Sequence, residues 1–373
     1  MKILNYEVNN KHILAHVVRI AVGCLFIFSG LVKLNDPTGT QIKLEEYFEV
    51  FAGDLPSLHG FWTGMLPYAI HISVFMCVLE VVLGVALLVS YKIKQTSWLL
   101  LAMVVYFTIL TFYSAYFNKV TDCGCFGDFL KLKPWASFTK DVVLLVLILF
   151  ILWQRKVYSS LRTGSIVSLS ALASLGLAIY AISFLPPIDF LPYKVGNNIP
   201  AQMLPSEPLR YKYIMEKDGS TIEFEKYPTD TTYKYKEMVL VNEEARPKIT
   251  DYKVWNDSGD FTAETFKGTK LMLIIKNSTE LNVASLAEMR KLIEALKKTD
   301  IQPLILTSES EATINEIKKA HQLNVPFYFA DATVLKTIAR SNPGLWLLKD
   351  GTVKGKWHYN ATPNADQVMA LVQ

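Results

Sequence analysis

The residues best placed to do chemistry are two cysteines one glycine apart, in the stretch Asp122-Cys123-Gly124-Cys125-Phe126-Gly127-Asp128. The chain has only 4 cysteines, so a pair this close is either a redox couple or half of a metal site. A disulfide across a single residue closes a very small ring, whose geometry departs from the relaxed one. Such a bond is easily reduced, which suits transfer better than stapling. Two alternatives stand beside the redox reading: two reduced thiols packed in a loop, or half of a zinc site. His59 and His71 are the only further zinc ligands near that face, and their spacing matches no known ligand pattern.

The elements that must position this loop are membrane-length apolar runs. Windows of bilayer length predict five spans, at about 13–34, 64–90, 96–117, 137–154 and 164–185. The first is too long for the core of a signal peptide and lacks a cleavage site, so it is read as a retained anchor. Lys2, Lys11 and Arg19, then Lys92 and Lys94, then Arg155, Lys156 and Arg162 fall at alternate span ends. The positive-inside rule therefore predicts a cytoplasmic N-terminus. The cysteine loop and everything after residue 186 are then expected outside the cytoplasm, where disulfides persist. Lys119, Lys131, Lys133 and Lys140 oppose this assignment, and Asp122, Asp128 and Asp141 offset them. With 38 basic and 34 acidic residues, and lysines dispersed rather than striped, nucleic acid is not an expected partner.

Inside the spans, ionisable groups are costly unless paired, and Arg19 and Glu80 are expected to form a buried ion pair. Lys33, near an interface, is expected to snorkel, with support of a loop thiolate as its second reading. Cys24 and Cys77 fall near the middles of spans one and two. They are buried fillers or, if facing one another, a relay pair. Trp62, Trp98, Trp135 and Trp153 sit near span ends as interfacial belt residues.

Past Pro186-Pro187 the composition turns polar. Residues 187–269 read as a strand-rich lead-in, with a hairpin of Tyr211–Lys217 and Thr221–Tyr227 about Asp218-Gly219 and a shorter one about Asp257-Ser258-Gly259. From residue 270 the pattern is regular: strand Leu271–Lys276, helix within 281–298, strand Ile301–Thr307, helix 309–322, a short strand Phe327–Phe329 and a helix capped by Asp331. Strands Leu345–Lys349 and Thr352–His358 and a last helix from Pro363 complete it. This order resembles the thioredoxin fold over about 270–373. The resemblance implies a cis bond at Pro343 and a Cys-x-x-Cys after the first strand. Those positions read Asn277-Ser278-Thr279-Glu280, so the domain holds no thiol and a docking role is expected.

Arg19, the run Gly30-Leu31-Val32-Lys33-Leu34-Asn35-Asp36-Pro37, Glu80 with Gly84, and the Cys-Gly-Cys-Phe-Gly-Asp loop together resemble the DoxX/MauE family of small four-helix membrane proteins, over about residues 13–154. The resemblance implies thiol redox or electron transfer at a membrane: maturation of a disulfide-rich periplasmic dehydrogenase in the MauE branch, and quinone-linked oxidation in the DoxX branch. The fifth span and the thiol-free domain depart from that pattern, so the substrate does not carry over.

The expectation is a membrane all-α bundle of five spans (1–186), the strand-rich lead-in and an α/β thioredoxin-like domain. The protein would exchange electrons through Cys123 and Cys125 with a periplasmic thiol or disulfide protein, from the inner membrane. Lys33, Asp122, Asp128, Arg19, Glu80 and Pro343 would support the site, Cys24 and Cys77 would be the relay, no metal is expected, and a quinone is the one cofactor implied. A non-enzymatic scaffold or maturation factor, or a quinone-binding subunit, are the rival readings. Oligomeric state is not legible.

Overall fold

The computed structural model describes residues 10–120, 124, 126–130, 132–158, 163–217 and 219–373. Cys123, Cys125 and Asp122 lie outside the described residues. Two compact units divide the chain, Met1–Phe190 and Leu191–Gln373.

The first unit is helical: α1 (Asn10–Asn35), α2 (Pro37–Asp54), α3 (His59–Met65), α4 (Ala69–Leu88), α5 (Ile93–Phe117), α6 (Pro134–Trp153) and α7 (Gly164–Ser183). Among the described residues, five stretches are long and apolar enough to cross a membrane: His12–Asn35, Pro56–Leu88, Ile93–Phe117, Pro134–Trp153 and Gly164–Ser183. In lipid such segments must satisfy every backbone group internally, which selects the helix. Their outward faces stay apolar, as at Phe75, Ile109, Leu169 and Leu172, each more than 60% exposed.

The closest approach is between α1 and α4, and glycine makes it. A Cβ on Gly84 would lie 2.9 Å from the Gly23 carbonyl oxygen and 2.9 Å from the Ile27 nitrogen. One on Gly30 would lie 3.0 Å from the Val81 nitrogen and 3.2 Å from the Cys77 carbonyl oxygen. Small residues let two backbones meet where lipid gives no hydrophobic drive to do so. These contacts also fix the register: residue 23 lies opposite 84, and residue 30 opposite 77 and 81.

The acidic stretch between the first two spans is the helix α2. Asp36 caps it, accepting from the Gly39 N–H at 2.9 Å, and Pro37 occupies the first turn. An N-cap aspartate followed by proline is a helix start signal in plain view. Leu44, Tyr47, Phe48 and Ala52 form its buried face. Asp36→Ala should lower the thermal stability of the detergent-solubilised protein by about 1 kcal/mol; an unchanged melting temperature would show that the cap contributes nothing.

The second unit begins with α8 (Ile199–Gln202) and a three-stranded antiparallel sheet of β1 (Tyr211–Lys217), β2 (Ser220–Phe224) and β3 (Lys234–Leu240), in the order β2-β1-β3. Lys217 pairs with Ser220, as the expected hairpin requires. A second sheet of seven strands takes β4 (Val254–Asn256), β5 (Gly259–Asp260), β6 (Thr269–Ile275), β7 (Ile301–Thr307), β8 (Phe327–Ala330), β9 (Gly344–Lys349) and β10 (Thr352–His358). Its order is β10-β9-β6-β7-β8-β4-β5, with β6, β7 and β8 parallel and β9 antiparallel to β6.

Strand alternation divides the core of this sheet. Leu271, Leu273 and Ile275 of β6 face α9 (Leu286–Leu296), α10 (Glu311–His321) and α12 (Ala365–Ala370). Met272 and Ile274 face α11 (Ala332–Ile338) and Trp346. On α9 the buried residues are Leu286, Met289, Leu292, Ile293 and Leu296, the helical stripe read from the sequence. Asp331 caps α11 through the N–H groups of Thr333 and Val334.

Candidate functional site

Four ionisable side chains from three spanning helices converge beside Phe126. Lys33, near the end of α1, is buried and donates to Glu80 of α4 at 2.7 Å. Asp141 of α6 is 2% exposed, accepts from Thr111 of α5 at 3.0 Å, and pairs with Lys140 at 2.7 Å. Both pairs line one pocket of about 20 Å³, together with Leu25, Val104, Leu144 and Phe126. That volume suits about one water molecule. The Lys33 ammonium lies 4.8 Å from the Phe107 ring and the Lys140 ammonium 5.4 Å from the Phe126 ring, so each cation has an aromatic face as well as a carboxylate.

The described part of the loop is held from several sides. Phe126 is 7% exposed, and its ring is 6.1 Å from that of Phe28 on α1. Gly124, between the two cysteines in sequence, has φ +64°, and a Cβ there would lie 3.2 Å from Cγ of Lys43 on α2. A side chain at this position would be strained in backbone and crowded by Lys43. Asp128 is half-buried in the turn that follows Phe126. Where the loop leaves α5, Lys119 pairs with Asp54 at the end of α2, and Tyr113 donates to the same carboxylate. Those contacts, Lys119 first, hold the Asp54 carboxyl below the usual carboxylate range.

Three expectations are corrected. Arg19 does not pair with Glu80: its Nη1 donates to the Leu87 carbonyl at 2.7 Å and to that of Leu88, and its guanidinium lies 5.7 Å from the Tyr158 ring. The helix register is the reason. Arg19 meets the end of α4, and seven residues, about 10 Å along a helix, separate Leu87 from Glu80. Lys33 does not snorkel but turns inward to take the place given to Arg19. Cys24 and Cys77 do not face one another either: Cys24 is exposed, while Cys77 is buried beside Gly30, with Sγ 4.0 Å from the Thr40 hydroxyl oxygen. Asp141 and Thr111 were missed as site residues. The signal was an aspartate inside the span read at 137–154, at the head of its apolar run, which in lipid demands a partner.

Residues 11–154 match the family model described as methylamine utilisation protein MauE. The match covers less than half of the chain but takes in α1 to α6, both ion pairs and the cysteine loop. With the five apolar helices, it marks the chain as a membrane protein. Residues 209–242, which hold β1 to β3, match a domain of unknown function, DUF8463. No curated protein and no solved structure matches the chain.

Pro343 lies in the second unit, in a cis peptide bond with Asn342 just before β9. The Asn342 side chain accepts from the Lys276 N–H at 3.0 Å and donates to the Asn277 carbonyl at 2.7 Å. The proline turn is thereby tied to the start of Asn277-Ser278-Thr279-Glu280.

Proposed function

We propose that the protein is an inner-membrane thiol–disulfide redox protein, acting on a periplasmic partner through Cys123 and Cys125, with its second unit as a thioredoxin-like docking module. The observation that carries the reading is the support beside the described part of the loop: Phe126, next to Cys125 in sequence, lines one pocket with two lysine–carboxylate bridges, of which Lys33–Glu80 is buried. Ionisable groups within a span are by default functional. The family match adds weight to an accessory or maturation role at a membrane, and the alternating basic span ends favour a cytoplasmic N-terminus. For the docking module, the support is the order β10-β9-β6-β7 with a cis proline before β9, together with no cysteine at 277–280.

The exchange balances without a further reagent. One loop thiol loses its proton and attacks a sulfur of the partner's disulfide, expelling the other partner sulfur as a thiolate. The second loop cysteine, deprotonated in turn, attacks its neighbour in this mixed disulfide and releases the partner's remaining thiolate. Two electrons and two protons leave the loop and the partner becomes a dithiol; the reverse order reduces the loop.

Cys125→Ser stops the second attack, so Cys123 should accumulate a mixed disulfide with a partner, visible as a dithiothreitol-sensitive band on a non-reducing gel from intact cells. Cys123→Ser tests the opposite order. If neither variant traps a partner and the loop thiols remain reduced throughout, the redox reading fails and a membrane-anchored scaffold takes its place.

A further inference from the structure

The apolar stretch Pro56–Leu88 is 33 residues long. As one straight helix it would run about 50 Å, against a hydrocarbon core of about 30 Å. α4, with 20 residues, is long enough alone. The residues before it do not extend it: Pro56 opens a single 3-10 turn before α3, and Pro67 sits in a second one, Leu66–Tyr68, after it. Pro56 only begins the stretch, whereas Pro67 lacks a backbone donor and interrupts the α-helical bonding between α3 and α4 with its 3-10 turn.

This broken segment has two faces. Trp62, Met65 and Leu66 pack inward on Leu44 and Phe48 of α2, with the Phe48 and Trp62 rings stacked at 5.8 Å. Leu55, Leu58, Phe61 and Tyr68 face outward, 42%, 47%, 55% and 58% exposed. α2, on which the segment rests, carries Lys43, Glu45, Glu46 and Glu49, none of them buried.

We infer that residues 55–68 do not span the bilayer but lie along its headgroup–acyl boundary, with Leu55, Leu58, Phe61 and Tyr68 seated among phospholipid acyl chains near the glycerol backbone. The occupant is lipid because the outward face leads on into α4, whose Phe75 is 62% exposed on the same apolar stretch, with His71 the one exposed residue between Tyr68 and Phe75. The segment thereby sets the height of α2 at the membrane surface. Since Lys43 of α2 lies against Gly124, it also sets the height of that part of the loop.

The test is photocrosslinking of the full chain in phospholipid nanodiscs, with p-benzoylphenylalanine replacing Leu58 or Phe61 in turn. Phe75 serves as the lipid-facing control, and Tyr235, exposed in the second unit, as the aqueous one. Intact mass should rise by one phospholipid at positions 58 and 61 as it does at 75, with none at 235, and fragmentation should place the link near the glycerol. Absence of a lipid adduct at both 58 and 61 while 75 forms one overturns the inference. So do links at the terminal methyl groups, which would put the segment at the bilayer centre, and a protein adduct in place of lipid.

Discussion

Lys33→Met should destabilise the membrane unit by about 3–5 kcal/mol, the usual effect of removing one partner of a buried ion pair. Glu80 is 4% exposed and would be left facing Phe107 and the apolar walls of the pocket. The double variant Lys33→Met/Glu80→Met should recover most of that loss, because replacing a whole buried pair by apolar residues of similar volume is often neutral or better. Unfolding of both variants and of Glu80→Met in the same detergent gives the coupling between the sites. A double variant as unstable as the sum of the two single ones would mean that the 2.7 Å bridge is not a working pair. The same proteins bear on function: a double variant that folds but no longer exchanges thiols separates the cluster's chemical role from its structural one.

Gly84→Val should be as damaging as the loss of Lys33. The atoms its Cβ would meet at 2.9 Å include the Gly23 carbonyl oxygen and the Ile27 nitrogen, backbone that cannot swing aside as a side chain could. Either α1 and α4 separate or the variant does not fold; overpacking costs of 1–3 kcal/mol are typical, and this one should reach at least the upper end of about 3. The measurement is monodisperse yield and melting temperature in detergent. Gly176→Ala on α7 is the control, since nothing lies within 4 Å of its added Cβ, and it should be neutral or slightly stabilising. Equal behaviour of the two variants would show that α1 and α4 are not in this close register.

The spans were legible because lipid imposes a length and a composition, and each of the five observed stretches lies over one read from hydropathy. β6 was equally plain as a continuous apolar run of strand length, since both of its faces are covered, and α9 by its helical periodicity. What hydropathy does not carry is azimuth and register. Counting residues from a span end places Arg19 and Glu80 by depth, but whether they meet depends on how α1 slides on α4, which Gly23, Gly30 and Gly84 decide. Depth likewise put Cys24 and Cys77 at one level and could not show that Cys24 points outward. α2 was overlooked because its residues are not apolar enough to register as a span, although Asn35-Asp36-Pro37 announces a capped helix. At the site, Glu80 and Lys33 were visible as charges in apolar runs, and their partnership was not. Cys123 and Cys125, the residues on which the reading began, lie outside the described residues, so the case for them rests on what surrounds Gly124 and Phe126.

The helix α7 buries only Ser174, Ala178 and Ala181, while Leu169 and Leu172 are almost wholly outward. Among the described residues, this stripe of small side chains carries none of the ion pairs or interlocked glycines that bind α1, α4 and α6. A thicker or thinner bilayer is therefore met most cheaply by tilting α7. Hydrophobic mismatch, felt weakly by the α1–α4 pair, becomes a change of inclination in the span from which the chain leaves the membrane.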